Sequence, residues 1–401
     1  MTPKHKEHYD RALKRIPWGT QTNAKRYDAD LIASRPPFID RGKGCRIWDL
    51  DNEEYIDYRC SLGPITLGYQ YAEVDEAVRK QMEKGILFSM ASPLEIEAAE
   101  AILDTIGWAD KIRFMKTGAD VCSCCLRLAR SYTGRDRLLT SGYHGYQDWF
   151  ALNWPRPGVP QKLADYVDEI EYDDLEAVKR VFASHGKEIA AVVVIPVDWN
   201  QETSREYLQL LRDQCDQYGS LLIFDEVLTG FRLANGGARE YFGVTPDFSA
   251  YAKGVANGYP LSAYVGKARY MDTLDHTILT TTYAGETLSL AAAKAVMEIY
   301  AKEPVIEHIF AMGQRLRDGF DTIFQEHSYP ANTIGVAPAI TIDFHGNEEE
   351  KQARRASLFD KLYQKGIFAN NEWFINYSHQ AADIDETLEK MRDCIKETAF
   401  A

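Results

Sequence analysis

Two residues in the stretch 221–260 have side chains on which a function can be built. Asp225 closes the apolar run Leu221-Leu222-Ile223-Phe224, and Lys253 follows Phe248-Ser249-Ala250-Tyr251-Ala252. A lysine amine held in a pocket attacks carbonyl carbon and forms a Schiff base with it. Open α/β sheets gather ligands at the carboxyl ends of their strands, which is where both residues would lie. Taken singly, Asp225 reads equally as a helix cap and Lys253 as a solvated surface charge. A third feature lies upstream: Thr117-Gly118-Ala119-Asp120 sits between the run KIRFMK and a helical stretch. The first turn of a helix offers unbonded N–H groups to an anion, although a glycine there also marks a plain turn. Pyridoxal phosphate requires all three: a lysine for its aldehyde, a carboxylate for its ring nitrogen, and backbone donors for its phosphate.

These residues need a frame. From Lys111 to Gly266, strand-like runs (KIRFMK, RLLT, IAAVVVIPV, LLIFDEV) alternate with helical stretches such as DLEAVKRVFASH and REYLQLLRDQCDQYG. Such alternation implies an α/β domain with a mainly parallel sheet covered by helices. Upstream, RIWDLDNEEYIDY places branched and aromatic residues on both sides of Asp51-Asn52, a hairpin signal. Ser92 and Pro93 open a helix at PLEIEAAEAILDTIG. The expected organisation is an N-terminal segment, 1–60, packing with a small C-terminal α+β domain, 306–401, and a large domain, 61–305, between them.

With 401 residues, 45% of them hydrophobic, the chain can bury a large core. A net charge of -14 argues against generic binding to nucleic acid or an anionic membrane. No run approaches the roughly 18 apolar residues of a membrane span, and MTPKHKEHYDRALKRIPWG lacks a signal peptide's apolar core. The expectation is a cytoplasmic protein. Seven cysteines, an odd number, form no disulfide framework. Cys122-Ser123-Cys124-Cys125 has no second pair and reads as buried small residues in a helix, so no metal site is expected. Neither GxxxxGK[ST] nor a GxGxxG after the first strand occurs, which argues against a nucleotide-binding protein.

The joint order of these features resembles the class III pyridoxal-phosphate aminotransferases of fold type I, in the glutamate-1-semialdehyde aminomutase-like branch. The resemblance rests on RFMKTGADVCSCCLRLARSYTGRDRLL, the YHG at 143–145, IFDEVLTGFR at 223–232, AKGVANGYPLSAYVG at 252–266 and TTYAGETLSLAAA at 281–293. Weaker similarity in PWGTQTNAKR, WDLDNEEYIDYRCSLGPITLGY and NYSHQAADID extends it over nearly the whole chain. It implies a seven-stranded-type sheet and pyridoxal 5'-phosphate as cofactor. It makes Lys253 the Schiff-base lysine that also shuttles a proton at the substrate, and Asp225 the partner of the ring nitrogen. Val227 and Tyr143 would cover the two ring faces, and the N–H groups of Gly118 and Ala119 would meet the phosphate. Thr282 would reach that phosphate from a neighbouring subunit, implying a homodimer with shared sites. Asn200 would lie near the cofactor's phenolic oxygen.

The departures bear on substrate. Ile195 stands where the family has a glutamate, and helix residues follow Asn200 almost directly, without the usual loop. Thr22-Asn23-Ala24-Lys25 replaces the aminomutases' Ser-Pro-Val-Arg, and lysine is not an equivalent fork for a carboxylate. Lys25, Arg26, Ser61, Trp149 and Glu372 are candidates to line the substrate entrance, and each fits a structural role equally. The expected reaction is ping-pong transfer from an amino donor to an aldehyde or ketone. The alternatives are intramolecular transfer of the aminomutase type, or decarboxylation, elimination or racemisation on the same scaffold.

Overall fold

The computed structural model describes residues 1–28, 32–150, 158–198 and 201–398. The chain divides into two compact units, residues 72–306 and residues 1–71 with 307–401.

Among the described residues of the larger unit, seven strands form one sheet. They are β1 (Lys111–Met115), β2 (Arg137–Ser141), β3 (Val167–Glu169), β4 (Ile189–Val194), β5 (Leu221–Glu226), β6 (Phe248–Tyr251) and β7 (Ser262–Gly266). Their order is β1-β7-β6-β5-β4-β2-β3. The pairs β3/β2, β2/β4, β4/β5 and β5/β6 are parallel, while β7 runs antiparallel to both β6 and β1. Every residue of β4 and β5 is buried, as expected for central strands covered on both faces. Each fully buried Val, Leu or Ile there contributes about 1.5–3 kcal/mol over its exposed state. That is why these two runs were the most visible strands in the sequence.

Helix α1 (Gly118–Thr133) begins with Gly118 and Ala119, the residues expected to meet a phosphate. Its buried positions Val121, Cys122, Cys125, Leu128 and Ala129 recur at helical spacing and join the core that lies against Phe248, Ala250 and Tyr264. Thr117 caps it: the threonine hydroxyl accepts from the Asp120 N–H, and the Asp120 carboxylate accepts from the Thr117 N–H, a reciprocal cap. Gly134, left-handed at φ 67°, ends it.

In the smaller unit, Ile39–Lys43, Arg46–Asp49 and Glu54–Asp57 form an antiparallel meander. Ile367–Phe368, from the C-terminal part, adds in parallel to Glu54–Asp57. A second sheet joins Ala331–Val336, Ala339–Phe344 and Glu372–Phe374, with helices Glu348–Gln364 and Ala381–Thr398. N-terminal and C-terminal sequence thus build one α+β unit together.

Candidate active site

Strand register brings the two chemically distinctive residues together. Asp225, at the end of β5, pairs with Ala250 of β6, and Lys253 follows three residues later. Lys253 has a left-handed backbone, φ 44°, a conformation that costs a non-glycine residue on the order of 1–3 kcal/mol and collects at functional positions. Enclosure lowers the pKa of its amine from the ordinary 10.5 to about 8; nearby Arg232 pushes the same way, and the Asp225 charge opposes both. Below pH 8 the amine is an ammonium and cannot attack a carbonyl. The rate at which apoenzyme captures pyridoxal phosphate should therefore climb with pH up to about 8 and level off above it. Stopped-flow absorbance across that range checks this, and a rate still climbing toward 10.5 would mean that the lysine is not enclosed.

Asp225 is 3% exposed and surrounded by donors. The Val227 N–H donates to Oδ1 at 3.0 Å, and His144 Nδ1 lies 2.8 Å from Oδ2. The other ring nitrogen, His144 Nε2, is 3.0 Å from the Ser141 carbonyl oxygen. Both ring nitrogens thus face acceptors, which fixes the orientation of the imidazole against Asp225. Phe150 packs edge-on against the ring at 5.2 Å and helps exclude water. The Cys122 thiol, raised well above its ordinary value chiefly by burial and next by the Asp225 charge, lies within 4.8 Å of that carboxylate. A carboxylate held by neighbours on both oxygens is fixed in direction. His144 was missed as an individual residue. It lay inside the YHG text, 81 residues from Asp225, and no local pattern announces such a pairing.

At the head of α1, the N–H groups of Gly118 and Ala119 belong to the first turn, where no intrahelical acceptor exists. Gly118 is required by close packing: a Cβ there would sit 2.8 Å from Val227 Cγ2. Likewise a Cβ on Gly145, at φ 111°, would meet that of Ala119 at 2.5 Å. Val227 thus lies against the cradle. Tyr143 is half exposed, and Thr282 is exposed in the turn before helix Thr287–Lys302. Asn200 lies outside the described residues. Glu226, unremarked in the sequence, is fully buried and raised to about 7 by that burial; it accepts from the Ala238 N–H at 2.9 Å and the Thr229 hydroxyl at 2.7 Å, anchoring the segment after β5.

Of the substrate candidates, two share a cavity. Lys25 and Ser61 line one cavity of the smaller unit, whereas Glu372 is in its second sheet, beside Asn370. Arg26 is exposed. Trp149, in the larger unit, lies under the Arg130 guanidinium at 4.1 Å, which gives it a packing role.

The model of the class-III aminotransferase family matches residues 32–395. The chain belongs to that family. Among relatives of this class-III aminotransferase, the glutamate-1-semialdehyde 2,1-aminomutase of Sulfurihydrogenibium azorense is 34% identical, the match covering 98% of this chain and 99% of that one. The 3-aminobutyryl-CoA aminotransferase of Cloacimonas acidaminovorans is 31% identical, over 97% and 96%. In structure, the FumI protein of Sphingopyxis sp. MTA144, solved with PLP as an internal aldimine, superposes with a TM-score of 0.91 at 29% identity, covering 99% of this chain and 97% of that one. The cofactor of this class-III aminotransferase is pyridoxal 5'-phosphate, and the residues present fit it. They supply an enclosed amine, a donor-loaded carboxylate one strand away, and a helix start whose first residue, Gly118, carries no side chain. No helix among the described residues is long and apolar enough to cross a membrane.

Proposed function

We propose that the chain is an aminotransferase working by two half-reactions, taking an amino group from a small-molecule donor and delivering it to an aldehyde or ketone. The observation that carries this reading is the pairing of the enclosed Lys253 amine with the buried, donor-loaded Asp225 across β5 and β6. Bound pyridoxal phosphate supplies an electron sink for the pair left behind when a proton leaves the substrate's carbon. Lys253 would hold the cofactor through its amine and would accept and return the substrate's proton. Asp225 would face the ring nitrogen, and His144 and the Val227 N–H hold that carboxylate in place. Gly118 and Ala119 would donate to the phosphate, with Val227 and Tyr143 bounding the ring. Asn200, whose position is not described, retains the role that the family resemblance implies.

The identity with aminomutases favours intramolecular transfer as the second reading, and Lys25 in place of their arginine weighs against it. A single-turnover experiment separates the two. An aminotransferase given one donor and no acceptor releases a single equivalent of carbonyl product per site and stops until an acceptor arrives. Conversion of one substrate to its isomer without release would establish the aminomutase reading instead.

The enzyme is further read as a cytoplasmic homodimer. Seven cysteines, all buried free thiols, support a reducing compartment. Met82, Ile86, Leu87, Phe88, Met90 and Ile96 are exposed along one short stretch, Met90 at 83%, and Ile278 at 85% flanks the Thr282 turn. So much apolar surface on a globular unit suits a second copy of the chain. If Thr282 completes the partner's site, Thr282→Ala and Lys253→Ala, each impaired alone, should regain activity when unfolded together and refolded as mixed dimers. Activity that never exceeds the sum of the two parents would refute shared sites.

A further inference from the structure

The smaller unit holds a cavity of about 470 Å³, within the size range of small-molecule sites. Its wall comes almost entirely from residues 9–69, with Phe368 as the contribution from the C-terminal part. Four cations, Lys25, Arg35, Arg41 and Arg59, face it together with two carboxylates, Asp40 and Asp57. The carboxylates are already engaged. Asp57 accepts from the Tyr69 hydroxyl and from the Arg59 backbone N–H, both at 2.8 Å, and Asp40 pairs with the adjacent Arg41 at 3.7 Å.

Arg59 is only 8% exposed, and one of its guanidinium nitrogens, Nη2, donates to the Ala24 carbonyl at 3.0 Å. Among the described residues, neither Arg59, Arg35 nor Lys25 forms an ion pair with a carboxylate. Arg35 lies close enough to Arg59 that the like charge adds to the effect of burial in lowering its pKa. Four cations against two carboxylates leave surplus positive charge at this wall, although the charge of Asp57 acts on Arg59 and that of Asp28 on Arg35. Such charge calls for an anion, and a guanidinium fork matches a carboxylate in two parallel hydrogen bonds. The rest of the wall is flat and apolar: Trp18, Tyr27, Phe38 and Phe368.

We propose that this cavity binds a small organic anion, a carboxylate carried on a flat apolar body, with Arg59 as its main contact and Arg35 beside it. The anion has two possible sources, the carboxylate of an amino donor or acceptor, or a separate ligand that is not consumed. The site stands on its own geometry, independent of which reaction the enzyme performs.

Benzoate titrated into the holoenzyme by calorimetry tests it. The wild type should bind saturably, and Arg59→Met should weaken binding by about tenfold or more, as the loss of a charge-assisted fork implies. Arg59→Lys, which keeps the charge without the fork, should fall between. Because Arg59 also bonds Ala24, Arg35→Gln provides a second variant that leaves that bond intact, and it should weaken binding as well. Competition between benzoate and a carboxylate-bearing donor in steady-state assays would assign the anion to substrate, and noncompetitive behaviour to a separate ligand. The proposal is overturned if the wild type shows no saturable binding, or if the folded variants bind benzoate as tightly as the wild type.

Discussion

Replacing Lys253 by alanine removes turnover almost entirely, by on the order of 10⁴-fold, in a protein that still folds. The size of the effect follows from two roles resting on one amine. On the proposed reading Lys253 would hold the cofactor, and it is also the group whose pKa, lowered to about 8, suits it to accept and return a proton near neutral pH. No other lysine adjoins the end of β6 in the sequence, the next being Lys267 beyond β7. Folding should survive because alanine retains a Cβ at φ 44°, so backbone strain is unchanged. Turnover with saturating cofactor is the first measurement. The second is borohydride reduction, which should fix the cofactor to the peptide bearing Lys253 in the wild type and to no peptide in the variant. Cofactor fixed at the same peptide in Lys253→Ala would sink the assignment.

Asp225→Asn is expected to retain the cofactor and lose about 10²–10³-fold in turnover, as when one preorganised electrostatic partner is removed. The substitution keeps the shape and removes the charge. An amide cannot hold a positive ring nitrogen as a carboxylate does, and it also changes the group that His144 Nδ1 meets at 2.8 Å. Binding loses less because the lysine bond and the donors at Gly118 and Ala119 are untouched. Absorbance gives occupancy and steady-state kinetics give the rate. Near-normal turnover in a fully loaded variant would take Asp225 out of the mechanism.

Much of the fold was legible because its central strands are continuous apolar runs; β4 and β5 are buried at every residue. The edge strand β3, Val167–Glu169, escaped notice, being three residues with two acids and only partly buried. Nor does the antiparallel course of β7 leave a local trace, since pairing direction does not alter the pattern of buried side chains. In the site, Lys253 and Asp225 stood out because each breaks an apolar run with a charge. His144 did not, because its meaning depends on a partner 81 residues away. The anion cavity was equally hidden. Its arginines lie in separate segments, and what distinguishes them is that neighbouring carboxylates are already engaged, a property of packing alone.

The ladder between β5 and β6 also determines which changes of chain length the enzyme can survive. Asp225 and Lys253 keep their relation through the pairing of Asp225 with Ala250. Removing one residue from Phe248–Tyr251 would leave the composition of the core nearly the same and yet turn everything after the deletion to the opposite face of the sheet. By contrast, an added residue in the connection around Thr245-Pro246, which enters no strand, leaves the register alone. Insertions should thus be tolerated a few residues before Lys253, while a single deletion inside the strand inactivates a protein that otherwise folds.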